Sequence, residues 1–363
     1  MVNSNYKVSA AFANETKYGS AATVNQNIGI VQSVNPTETN NLIKVRTIGG
    51  TRDYNNIIAG KFEISGSMDY LLQGGAFLRM AIGEDTASTA TIDSGPRIHS
   101  GVSYLHVMGS ADSPVVDSFP SFTLELADDE DTGTVANSKN LKRVYTGCRA
   151  NSASISATID NPVTVSCDWM AQNVIVGSQN ATSVSADISD PYVFYQGAVY
   201  ATSGNVVSNT SIGTSSMIAE VNSFDVSVNN NMEATWYVSG TTNTYQSTRG
   251  PKSIIPKGRD YASNLNLHFK DKNMYTRFLG AKNSTGPQTT LNKYQVVFDL
   301  VRSGSIGGVK TATDDFMRIV LGSCAFATEN IPTAPEDIVS QTIGVDVKSA
   351  KIYVADTDST YEW

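Results

Sequence analysis

Apolar and polar side chains alternate with a period of two along most of this 363-residue chain, as in strands with one oily and one wet face. Phe62, Ile64, Met68 and Tyr70 stand against Glu63, Ser65, Ser67 and Asp69. The same rhythm returns in Leu265, Leu267 and Phe269 against Asn266, His268 and Lys270. Further strands are predicted around Phe122, Leu124 and Leu126, around Ile155 and Ile159, through Val163, Val165 and Cys167, and through Val296, Phe298 and Leu300. Trp169 and Trp236 fall within strand patterns and read as core. Helix is scarce. The two predicted pieces, 75–82 and 271–279, each carry an Arg near the end (Arg79, Arg277) and stop at Gly83 and Gly280, as a left-handed C-cap requires. The pattern predicts a mainly β protein whose antiparallel sheets cover a core on one side and meet water on the other.

The order of elements repeats. VQSV followed by NNLIKVRTIGGT, from Val31, returns as VNSF followed by NNMEATWYVSGT, from Val221, with Asn40 to Asn230 and Gly50 to Gly240 both 190 positions apart. An Arg-Asp-Tyr follows in each copy, at Arg52 and again at Arg259, and then a strand, a short helix, another strand and a cysteine (Cys148, Cys324). A unit of this length is a whole domain rather than a solenoid module. The expected division is a first domain over 1–176 with an insertion at 84–117, a linker over 177–217 holding one strand near 192–200, and a second domain over 218–363. The acidic stretch 127–140 and the segment 241–257 read as loops, the latter longer than its first-copy equivalent.

Only 17% of residues are charged, with a net charge of -8. That balance argues against a surface that grips phosphate, since affinity for nucleic acid comes largely from Lys and Arg. No apolar run approaches the ~20 residues of a spanning helix, and the first residues lack the basic and apolar regions of a secretion signal. Three cysteines without metal-ligand spacing read as buried thiols in a reducing compartment.

Catalytic patterns fail one by one. Asp93-Ser-Gly95 and Asp131-Thr-Gly133 resemble aspartic-protease loops, which need an apolar strand before each Asp and one Asp per lobe, but Asp131 follows Asp-Asp-Glu and both lie in the first copy. Gly304-Ser-Ile-Gly-Gly-Val-Lys-Thr311 nearly spells a phosphate loop, yet Val309 replaces the Gly before Lys and a strand follows, so it reads as a flexible turn. A calcium loop from Asp128 would need a carboxylate where Lys139 stands. His99, His106 and His268 are scattered. No catalytic, cofactor-binding or metal residues are expected.

The run KYGSAATVN, VQSVNPTETNN, IKVRTIGGTRDY, AGKFEISGSMDYLLQ and FLRMAIG resembles the major tail tube protein of tailed bacterial or archaeal viruses, and FMRIVLGSCAFATENIP with QTIGVDVKSAKIYVADT resembles its closing strands. The resemblance covers most of the chain outside 84–117 and 177–215. It implies two tandem tail-tube-type β-sandwich domains, each with one short helix and about four strands lent to a continuous β-barrel on oligomerisation. Six domains complete a ring, so three chains suffice in a trimeric ring of pseudo-sixfold symmetry, with a hexamer as the alternative.

Several partners come with that resemblance. Copies of the chain stack into a tube, tape-measure protein and genomic double-stranded DNA pass through its lumen without sequence-specific binding, and tail terminator and baseplate or tip proteins close its ends. A sheath protein is added if the tail contracts. The resemblance places the protein in the virion tail, assembled in the host cytoplasm. A loop between two early strands reaches the next ring in related tubes. The matching positions are 50–59 and 241–257, with Arg52, Asn55, Asn56, Tyr245, Arg249, Lys252 and Lys257 as contact residues. A competing reading is a β-sandwich adhesin or capsid-decorating protein that binds a receptor or glycan, because fold alone does not fix function.

Overall fold

The computed structural model describes residues 8–48, 50, 52–83, 90–91, 104–109, 119–128, 141–177, 190–206, 210–213, 216–218, 220–237, 249–310, 314–332 and 339–356. The protein is mainly β. Its main sheet runs Ile30–Val45, Asn56–Leu71, Thr164–Ala171, Leu141–Thr158, Val221–Asn229, Asp260–His268, Ser340–Val347 and Asp315–Asn330, every neighbour antiparallel. The last four strands repeat the order of the first four, element for element.

The repeat extends to irregularities in the ladders. A register shift between Val31 and Ser33 recurs between Val221 and Ser223. Another, between Ala150 and Ser152, recurs between Phe326 and Thr328. A third, between Phe122 and Leu124, recurs between Tyr294 and Val296. A bulge re-aims the strand that carries it, so the two halves bend at the same places. The matched registers set the offsets between copies: Val34 to Phe224 is 190 positions, Met68 to Leu265 is 197, and Cys148 to Cys324 is 176.

Leu141–Thr158 and Asp315–Asn330 are shared strands. Their first halves belong to outer sheets, and their second halves to the main sheet. One outer sheet runs Gln26–Asn27, Val8–Asn14, Phe122–Asp128, the shared strand and Asn173–Val176. The other repeats it as Met217–Ile218, Gly197–Thr202, Tyr294–Ser303, the shared strand and Ser349–Asp356, and adds Tyr104–Gly109 and Ala90–Thr91. The swing between sheets passes through a left-handed residue in each copy, Gly147 (φ 62) and Ser323 (φ 53). Apolar faces of the sheets meet around Tyr145, Trp169, Phe298 and Leu265. The helices α1 (Leu78–Ile82) and α2 (Asn273–Phe278) are followed closely by Gly83 (φ 80) and Gly280 (φ 125).

Several expectations need correction. Trp236 is not core: it is 38% exposed, with the Lys61 ammonium 4.6 Å from its ring. Ile159 lies past the end of its strand and is exposed. The two Arg-Asp-Tyr motifs are not equivalent, because the strand register that matches Met68 with Leu265 makes Arg259 the counterpart of Phe62 rather than of Arg52. Within 84–117 the Tyr104–Gly109 strand pairs with the C-terminal Ser349–Asp356. The Gly304 segment is pinned rather than loose. Beneath it, the Asp299 carboxylate takes Arg318 Nε, Lys310 Nζ (each at 3.0 Å) and the Gly307 N–H (2.7 Å), all three charged side chains being buried.

Candidate functional site

The main sheet presents one face to the core and the other outward. The outward face carries Ser65, Ser67 and Asp69, then Ser152, Ser154 and Ser156, Ser166 and Asp168, and in the second half Asp225, Asn264 and Asp346. Hydroxyls and amides donate to the carboxylates across strands: Ser33 and Ser166 to Asp69, Ser152 to Asp168 (2.8 Å), and Asn264 to Asp225 (3.1 Å). These bonds tie the polar face into a ladder that is acidic on balance. Its Lys61 is matched with Glu63 at 2.6 Å, and burial raises the carboxyl of Asp225 above its usual value.

Where the halves meet, Val221–Asn229 pairs with Leu141–Thr158, with Val228 opposite Ala153 and Val226 opposite Ile155. Asn230, fully buried, clamps this seam: its Nδ2 donates to Ala81 O (2.8 Å) and Ala150 O (3.0 Å). Arg259 Nε donates to Asn230 Oδ1 (2.8 Å), and its Nη1 to Ile82 O (2.8 Å), capping α1. The first-half helix is thereby sealed by second-half residues.

The sheet has two edges. Among the described residues Ile30–Val45 pairs only with Asn56–Leu71, and the end of Asp315–Asn330 only with Ser340–Val347. These are the first strand of the first set and the last of the second, the same kinds of strand that form the internal seam. Side chains at the open ends are exposed where their counterparts at the seam are buried. Val176 is 76% exposed and its counterpart Ile352 1%; Tyr275 is 43% exposed and its counterpart Leu78 1%.

Ile30–Val45 and Asn56–Leu71 continue past the end of Thr164–Ala171 as a two-stranded ribbon, paired up to Val45 and Asn56. Leu42, Ile43, Ile57 and Ile58 are exposed on it. Arg52 and Asn55 lie in the connection at its tip and Asn56 opens its return strand, while Tyr54 lies under Lys44 and Arg46. The other expected contact residues lie at its base or beyond. Arg249 Nε donates to Gly60 O (2.8 Å), and its Nη2 to Asn40 Oδ1. Lys252 O accepts from Gln172 Nε2 (3.0 Å), and Lys257 pairs with Glu233. Tyr245 lies outside the described residues.

All this geometry concerns edges and surfaces rather than a reaction centre. Among the described residues no group of three or more His, Cys, Asp or Glu could hold a metal ion. Cys148, Cys167 and Cys324 are free and buried, and burial pushes the Cys324 thiol up to about 11. The family model for phage tail tube protein matches residues 6–347.

The chain belongs to the phage tail tube family.

No curated protein matches it. As a tail tube family member it is a structural virion protein of the tail, not an enzyme. Of the expected loop 50–59, residues 56–59 are strand, and no sequence signal marks the seam clamp. The repeat marks Asn230 as the counterpart of Asn40, but the recurring Arg-Asp-Tyr points Arg259 to Arg52 and hides its place in the clamp.

Proposed function

We propose that the chain polymerises as stacked rings of three into the tail tube, a hollow conduit for DNA and tape-measure protein. The observation that carries this is the pair of open edges: each is the strand type that already pairs inside the chain. Pairing the end of Asp315–Asn330 in one copy with Ile30–Val45 in the next repeats the internal seam and covers residues such as Tyr275 and Val176. It also removes two open edges, which otherwise invite indiscriminate pairing. Eight strands per chain make about 24 in a closed ring. At ~4.8 Å spacing and ~40° tilt the backbone circle is about 45–50 Å across.

The Ser- and Asp-rich face then lines the bore. Its carboxylates repel phosphate, and it offers few cations whose contacts would release counterions and hold DNA in place. The domains are taken as 1–176 and 218–363 with 177–217 between them, the Gly197–Thr202 strand of that linker serving the second outer sheet. The ribbon bearing Arg52, Asn55 and Asn56 reaches the adjacent ring, and the segment with Tyr245, Arg249, Lys252 and Lys257 supports it. Tail terminator and baseplate or tip proteins cap the tube, a sheath surrounds it if the tail contracts, and assembly proceeds in the host cytoplasm. Negative-stain imaging and native mass measurement of the purified chain test the reading: hollow rings of three chains are expected, and discrete monomers at all concentrations would refute it.

A further inference from the structure

The copy offsets place specific residues at the chain–chain seam. At the internal seam Ala153, Val228 and Ile319 are buried and line one apolar crevice with Leu78, Ile82 and Ile352. Moving Ala153 by 176 positions gives Glu329, moving Val228 back by 190 gives Glu38, and moving Ile319 back by 176 gives Arg143. The apolar triplet inside the chain therefore corresponds to three charged residues: Glu329 on the trailing edge strand, Glu38 on the leading edge strand, and Arg143 on the shared strand Leu141–Thr158 beside Glu38.

Their present bonding is incomplete. Glu38 Oε1 accepts the Tyr145 hydroxyl at 2.8 Å and lies 3.7 Å from Arg143 Nη1. Arg143 Nε is buried and has no hydrogen-bond partner. Glu329 Oε1 accepts from Gln341 Nε2, while its Oε2 is buried without a partner. A buried carboxylate oxygen and a buried guanidinium N–H, both unsatisfied, stand at positions that the internal seam brings together. Burial already raises the Glu329 carboxyl above its usual value, as expected of a carboxylate withdrawn from water without a cation.

We infer that the seam between chains is closed by a charge triad, in which Arg143 of one copy bonds both its own Glu38 and Glu329 of the next copy. The inference rests on the ring reading above. A buried ion triad adds little stability relative to apolar packing, but stranding one member is costly. Its gain is specificity. An edge ending in Glu329 is matched by the leading side of another chain, where Arg143 stands beside Glu38, and is mismatched with the apolar crevice around Ile319. The head-to-tail order of chains is thus written in charge, while the internal seam is written in shape.

The test uses the full chain and native mass spectrometry at one fixed concentration. Glu329→Arg alone sets two guanidinium groups against each other, and Arg143→Glu alone sets three carboxylates together. Each is expected to lower the three-chain ring fraction at least ~10-fold. The double variant Glu329→Arg with Arg143→Glu restores one cation between two carboxylates and is expected to recover rings to within about threefold of wild type. Circular dichroism of each monomer checks folding, and recovery in the double variant cannot arise from a misfolded chain. If wild type forms rings and the single variants close as well as it does, or the double variant fails to recover, the triad is overturned and the ring stands. A wild-type chain that never closes overturns both.

Discussion

Arg259 Nη1 donates to the carbonyl of Ile82 at 2.8 Å, joining residues 177 positions apart across the seam between the two halves. With Asn230 it closes the C-terminal end of α1, whose last carbonyls have no partner within the helix. A helix of five residues is too short to hold itself. Its place is set by the half of the chain that follows it.

Asn230→Ala therefore removes bonds to Ala81 and Ala150 and leaves buried carbonyls and Arg259 Nε short of partners. A loss of about 2–4 kcal/mol is expected, measured by urea unfolding of the monomer. A change below ~0.5 kcal/mol would mean that the clamp does not hold the seam.

Asp299→Ala strands two buried cations, Arg318 and Lys310, beneath the Gly304 segment. Burial already depresses the Lys310 ammonium, with Asp299 acting against that shift. The expected cost is about 3–5 kcal/mol. The first-copy counterpart of Asp299 is Ala127, so Ala127→Ser, a small change at the matching place, should cost far less in the same denaturation series.

Glu15 accepts from Gly147 N (2.7 Å), Gly19 N (2.8 Å), Ser121 (2.9 Å) and Thr123 (3.0 Å), fastening the N-terminal arm to the swing of the shared strand. Burial raises its carboxyl above 4.5, and the hydrogen bonds oppose that shift. With the folded value above the unfolded one, the contribution is full below pH 4.5 and is lost as pH rises through the folded value. The stability difference between wild type and Glu15→Gln should therefore narrow as pH rises through that window. Unfolding free energies at successive pH values check it, and a difference that widens instead would contradict the assignment.

Ile43→Ser with Ile58→Ser makes the exposed ribbon polar at its far end, beyond the part of Ile30–Val45 that borders the eight-stranded sheet. Rings should form normally while long tubes are lost, as seen by electron microscopy. Deleting 243–255 is a poorer test, because it also removes the Arg249 bonds to Gly60 and Asn40 and the pairing of Ser253 with Thr235. Unchanged tube lengths in the double variant would remove the ribbon from ring stacking.

The strand pattern, the tandem repeat and the family resemblance were legible in the residues. Alternation of Met68 and Tyr70 with Ser67 and Asp69 encodes which face is wet, since side chains point to opposite sides at every step. That each helix stops at or just before a glycine was equally plain, although Gly83 (φ 80, ψ 170) is not left-handed helical and the second helix is capped by Leu279. Trp236 was not, because an exposed ring under Lys61 carries the same alternation as a buried one. The false match of Arg52 with Arg259 arose because a motif can recur in sequence while the strands around it shift register. Local chemistry thus determined the elements and their wet and dry faces. Only the packed chain decided that the eight strands form one sheet, that second-half residues seal the first-half helix, and that Arg143 stands beside Glu38 of the edge strand Ile30–Val45. Those facts depend on contacts between residues far apart in the chain, whose free energy belongs to the pair and is written in neither segment alone.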